Sequence, residues 1–256
     1  MGFEEDLEKG RIALEEGDAK TALPLLRQAL KQAQTAEAWL LVAEAEIEEG
    51  MLSKAKKSLA EGLKLDPENL DLLYAQGDLA FEEGESQQAL QAYARILDLD
   101  AEEADAWVSQ AMVQLSLDQL IEAEASCRKA LSQDSGSVFA WNALGDICAA
   151  GGKVQEAREC YQKSINLEPE DPQAYLSLGD LLYEAGDLKG AESSCRKGLE
   201  IDAGLAVGYL TLGYISLDQD RNREAQEFFQ QFLRLEKSPA ASDIRDEVKA
   251  LLDGLK

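Results

Sequence analysis

The chain has 256 residues, 50 acidic and 25 basic side chains, no histidine and a formal net charge of −25. That balance repels nucleic-acid phosphates and anionic membrane surfaces, and the missing histidine removes the commonest general base and transition-metal ligand. No apolar run is long enough to span a bilayer. The opening MGFEEDLEKG lacks the apolar core of a signal peptide, and Asp6 stands where a myristoylation signal wants Ser or Thr. Cys127, Cys148, Cys160 and Cys195 form no CxxC pair, which points to a reducing, cytoplasmic compartment.

In chain order, the first segment, 3–35, carries Gly10, Gly17, Ala22, Ala29 and Leu30 in a pattern that recurs further on. Asp18 follows a turn glycine, where a helix needs a cap, and Pro24 inside the following helix should bend it or cost it a hydrogen bond. Segments 36–69, 70–103, 104–137, 138–171, 172–205 and 206–239 then run without insertion at a spacing of 34 residues. Trp39, Leu73, Trp107, Trp141, Tyr175 and Tyr209 form one column, and Ala43, Gly77, Ala111, Gly145, Gly179 and Gly213 another. A third contains Ala55, Ala89, Ala123, Ala157, Ala191 and Ala225.

Segment 138–171 shows why each unit predicts a helix–turn–helix hairpin. Trp141, Leu144, Gly145 and Cys148 recur at helical spacing. The AAGG at 149–152 stops that helix, because glycine accepts the left-handed conformation at a C-terminus. A second amphipathic run passes through Ala157, Tyr161 and Ile165 before Pro169. Gly or Ala at the 145 and 157 positions lets two backbones approach, and the aromatic column fills the space between hairpins. Asp187 caps a helix as Asp18 does. Cys127 and Cys195 share a column with Tyr93, Tyr161 and Phe229, which marks them as core filler. Glu46, Gln76, Gln110 and Gln114 stand where later units place leucine; buried polar groups need partners, so looser or wet packing is expected there. The closing run SDIRDEVKALLDGLK places Ile244, Val248, Leu251 and Leu252 on one stripe, predicting an extra helix over 242–254.

The order Trp, Leu-Gly, Tyr, Ala, aromatic and Pro over 34 residues resembles the tetratricopeptide repeat. The resemblance covers nearly the whole chain. It implies an all-α, right-handed α-solenoid of seven repeats with a C-terminal capping helix. Asp6 and Lys9 in otherwise apolar columns suit a first repeat with one exposed side.

The free faces of the first helices would line the concave groove of such a superhelix. Their middle stripe carries Glu37, Glu44, Asp71, Asp78, Asp105, Met112, Asp146 and Asp180, and Arg11 is its only base. Beside it run Tyr74, Phe81, Leu176, Tyr183, Leu210 and Leu217, interrupted at Asn142, with Tyr214 on the stripe itself. Two readings stay open: a solvated acidic face beside a widened helix contact, or a binding groove. The two stripes together favour the groove, which suits a peptide or helical segment of another protein carrying Lys or Arg with apolar anchors. In repeat seven, Val207 and Tyr214 with Leu210 and Leu217 would be its anchoring pocket.

Gly152-Lys153 lacks the remaining phosphate-loop residues, and DLDAEEAD at 98–105 lacks the glycine of a calcium loop. The expectation is therefore a non-catalytic adaptor or scaffold with no cofactor, no metal and no nucleic-acid partner. The alternatives are a self-assembling structural protein, for which a homo-oligomer is open, or the repeat region of a larger protein.

Overall fold

The computed structural model describes residues 2–255, and these form α-helices with one short 3-10 turn and no strand. Two compact bodies divide at residues 133 and 134.

The N-terminal body holds α1 (Phe3–Glu15), α2 (Ala19–Gln32), α3 (Ala36–Glu48), α4 (Leu52–Leu65), α5 (Leu70–Glu82), α6 (Ser86–Leu99), α7 (Ala104–Ser116) and α8 (Leu120–Gln133). The C-terminal body holds α9 (Val138–Ala150), α10 (Val154–Leu167), α11 (Pro172–Glu184), α12 (Leu188–Ile201), α13 (Ala206–Asp218), α14 (Asn222–Leu235) and α15 (Ser242–Gly254). The 3-10 turn Pro239–Ala241 precedes α15. In each body consecutive helices pair as hairpins, and each hairpin's second helix packs on the next hairpin's first. First helices also meet one another, as α3 meets α5 and α11 meets α13.

Local chemistry sets these boundaries. Asp18 accepts from the Thr21 amide and Asp187 from the Gly190 amide, the caps expected from sequence. Gly152 takes φ +70° after α9. Pro24 does not interrupt α2, which runs from Ala19 to Gln32. Gly77 shows why a column must stay small: a Cβ there would lie 2.7 Å from the Tyr93 ring. The aromatic of the second helix is seated directly on the first helix's glycine.

The polar positions resolve in two ways. Glu46 is 3% exposed and accepts from Arg27 Nη2 at 2.7 Å and Ser58 Oγ at 2.6 Å, joining α2, α3 and α4. Gln110 Nε2 donates to Ser126 Oγ at 3.4 Å, which donates to Gln114 Oε1 at 2.9 Å. These polar side chains have found hydrogen-bond partners. Gln76 instead lines a surface recess of about 170 Å³ with Lys56 and Gln88. At the N-terminus the buried Asp6 Oδ2 accepts from Gln28 and Gln32, at 2.9 and 2.6 Å, in place of an aromatic.

Candidate functional site

Spacing within two helices builds an open cleft of about 500 Å³ in the N-terminal body. Leu40, Glu44 and Ile47 lie three and four residues apart and share one face of α3. Asp71, Tyr74, Ala75, Asp78, Leu79 and Glu82 do the same on α5. Carboxylates therefore rim a floor of aliphatic and aromatic carbon. Four of the sequence-predicted groove residues come together here: Glu44, Asp71, Tyr74 and Asp78.

The electrostatics follow from crowding. Glu44 is held above the usual carboxylate range, first by burial and then by the like charges of Asp71 and Glu48, with Arg11 opposing. The Tyr74 hydroxyl is pushed up by burial and by Glu103 and Asp105. An incoming cation would offset the repulsion that Asp71 and Glu48 exert on Glu44.

Asp78 is tied down from below: the Tyr93 hydroxyl donates to its Oδ1 at 2.5 Å. Asp71, Asp78 and Glu82 all face solvent at the rim of the cleft. Glu37 lies outside it, ion-paired to Arg11. Phe81 packs against the core around Leu73 and Tyr93. On α7, Asp105 is exposed and Met112 half-buried, and neither lines the cleft.

In the C-terminal body the predicted residues are largely engaged in internal contacts. Asn142 Nδ2 donates to Asp171 Oδ2 at 3.1 Å. Asp146 Oδ1 accepts from the Tyr161 hydroxyl at 2.7 Å, and Asp180 accepts from the Thr211 hydroxyl. Burial raises both carboxyls, and these hydrogen bonds oppose it. They are structural acids as much as surface ones. Thr211 carries no sequence signal as this partner: Asp180 has Cys195 in the column where Asp78 and Asp146 have tyrosine.

Leu176 does not belong to a binding face. It is only 2% exposed, because Gly198 and Gly208 leave a slot in which added Cβ atoms would meet its Cδ2 at 2.8 and 2.9 Å. Nor is the patch in repeat seven an open pocket. Leu210, Tyr214 and Leu217 pack on the cluster of Phe229, Phe232 and Val248, the last contributed by α15. The Tyr214 ring stacks on Tyr183 at 6.4 Å and meets Phe229 edge-on at 5.4 Å. Tyr183 donates to Asp218 at 3.0 Å, and Tyr214 donates to Glu247 of α15 at 3.0 Å. Burial and these carboxylates push both phenols up to about 12. Helix α15, expected from sequence over 242–254, docks around Phe229 and Phe232; no sequence signal pairs its Glu247 with Tyr214.

All four cysteines are buried. Among the described residues, no cluster of His, Cys, Asp or Glu could hold a metal ion, and no helix is long and apolar enough to cross a membrane.

Models described as tetratricopeptide repeat match residues 13–79, 74–138, 172–204 and 206–239, and one described as TPR repeat matches 145–186. No curated protein matches the chain. Among solved structures, a tetratricopeptide repeat protein from Parabacteroides merdae ATCC 43184 superposes with a TM-score of 0.81 at 22% identity, covering 99% of this chain and 98% of that one. Pseudomonas aeruginosa pilF gives 0.66 at 21% identity, over 84% of this chain and 96% of that one. A chain of the APC/C hetero-tetramer Cut9-Hcn1 gives 0.76 at 18% identity, over 92% of this chain and 47% of its own length. At these identities the likeness is one of fold.

Proposed function

The chain belongs to the tetratricopeptide-repeat family, and on that premise we propose that it is a non-catalytic scaffold holding a segment of a partner protein. The carrying observation is the α3–α5 cleft, where Glu44, Asp71, Asp78 and Glu82 rim an apolar floor. A segment bearing Lys or Arg beside Leu or Ile fits it. The ammonium or guanidinium meets the carboxylates while the aliphatic stem lies on Leu40, Ile47 and Tyr74. The exposed acids Glu37 and Asp105 of the same body offer such a segment secondary contacts. The similar chain from the APC/C hetero-tetramer Cut9-Hcn1, itself part of an assembly, supports a scaffold role. A cytoplasmic setting accords with the buried, reduced thiols.

The test uses two synthetic peptides of matched leucine pattern, one carrying Lys and the other Glu, with binding read by fluorescence anisotropy. The Lys peptide should bind, and binding should weaken steeply with salt. The double substitution Asp71→Lys and Glu82→Lys should abolish it with the far-UV circular dichroism unchanged, since both side chains face solvent. Equal binding of the two peptides, or indifference to salt and to the reversal, refutes the acidic cleft.

A further inference from the structure

The last helix is attached differently from those before it. Val248 is the only fully buried residue of α15, whereas α13 buries Leu212 and Ile215 together with four smaller residues. Leu251 and Leu252 are half-buried, and Ile244 is 43% exposed. Beneath α15 the second helix and its neighbour present Phe229, Phe232, Tyr214 and Leu217. Two polar contacts register the helix on this surface: Tyr214 donates to Glu247, and Gln226 Nε2 donates to the Leu255 carbonyl at 2.6 Å. The connection from α14 runs through residues 236–241, of which Lys237, Ser238, Pro239 and Ala240 are exposed. A thinly buried helix on a short exposed hinge opens before the elements that support it.

We propose that the apolar face of α13 and α14 is a helix seat, and that α15 exchanges between copies of the chain. The helix that the seat fits is α15, with Val248 and Glu247 in register. A second copy presents the same helix. Reciprocal exchange would preserve the Val248 burial and both polar contacts in each copy. Its cost falls on the hinge and on the entropy of association, which makes swapping an inexpensive route to a dimer. Opening also leaves an apolar surface that a lone molecule would not keep bare.

Full-length chains with and without uniform nitrogen-15 are mixed at high concentration and followed by native mass spectrometry and light scattering. Concentration-dependent dimers of mixed label are expected. Deleting Pro239–Ala241 shortens the hinge so that α15 cannot fold back, and should convert the chain to a stable dimer. Val248→Asp should lower the dimer fraction at least tenfold while far-UV helicity is retained. A chain that stays monomeric after the hinge deletion overturns the proposal. So does a dimer that survives Val248→Asp, because its contacts would then lie elsewhere.

Discussion

The Tyr161 hydroxyl donates a 2.7 Å hydrogen bond to Asp146, and Tyr93 makes the corresponding bond to Asp78. In both hairpins the tyrosine that fills the space against the first helix's glycine reaches through to an acid on that helix's free face. Core and surface are thus joined by one side chain. The Tyr161→Phe variant keeps the ring and removes the donor, leaving a partly desolvated carboxylate without it. Stability should fall by about 1.5–3 kcal/mol, the range for hydrogen bonds to charged groups. Urea denaturation with an unchanged m-value checks this; a loss below about 0.5 kcal/mol would mean that water replaces the donor freely.

The same environment sets the alkaline limit of the fold. Tyr93 and Tyr161 are held well above the ordinary phenol value, chiefly by burial and then by their carboxylate partners, and Tyr183 and Tyr214 lie at about 12. Unfolded tyrosines ionise near pH 10. Between that pH and the folded values, the native state binds more protons than the unfolded state. Stability must therefore fall as pH rises, with full stability kept below about pH 10. Thermal melts across this range should show Tm dropping from about pH 10 upward, with phenolate absorbance at Tyr93 and Tyr161 appearing only on unfolding.

The repeating fold was legible because its columns are dictated by contact. Gly145 and Tyr161 sit where they do because one side chain needs the space left by the other, and that constraint recurs at every hairpin. The binding face was less legible. Position on a helix places Asp180 and Leu176 on the outer arc, but not how deeply they sink. Leu176 is drawn inward by Gly198 and Gly208, each outside the Trp/Tyr and Gly/Ala columns that mark the repeat. Thr211 and Glu247 escaped for a related reason: they come from neighbouring hairpins, and no column pairs them with Asp180 or Tyr214.

Core placement of the cysteines has a chemical consequence. Cys195 is pushed up to about 12, first by burial and then by Asp180, so almost no thiolate exists at neutral pH. The thiolate is the reactive form. Treating the native chain with a thiol-exchange reagent should release colour only at the rate of unfolding, whereas denaturant should expose all four thiols at once. Fast labelling of more than one native thiol would contradict the packing.

The turn between the two helices of each hairpin offers the final prediction. Gly17, Gly50, Gly84, Gly152 and Gly186 all take φ between 68° and 81°, and in the two remaining hairpins Asp118 and Asp220 take φ of 58° and 57°. All seven hairpins thus use the left-handed conformation there, and two hold it with a side chain that crowds the backbone. The left-handed region costs an L-residue about 1–2 kcal/mol, less for aspartate, while glycine loses about 0.5–1 kcal/mol of chain entropy on folding. The difference is small but has a definite sign. Asp118→Gly and Asp220→Gly should each stabilise the chain by about 0.5 kcal/mol. The reverse change, Gly84→Ala, places a Cβ at φ +75° and should destabilise by about 1 kcal/mol, although nothing stands within 4 Å of that atom. The three variants form one series in denaturant midpoint: two rise and one falls. If Gly84→Ala is neutral, backbone conformation is not what selects glycine in these turns, and the gain expected at positions 118 and 220 disappears with it.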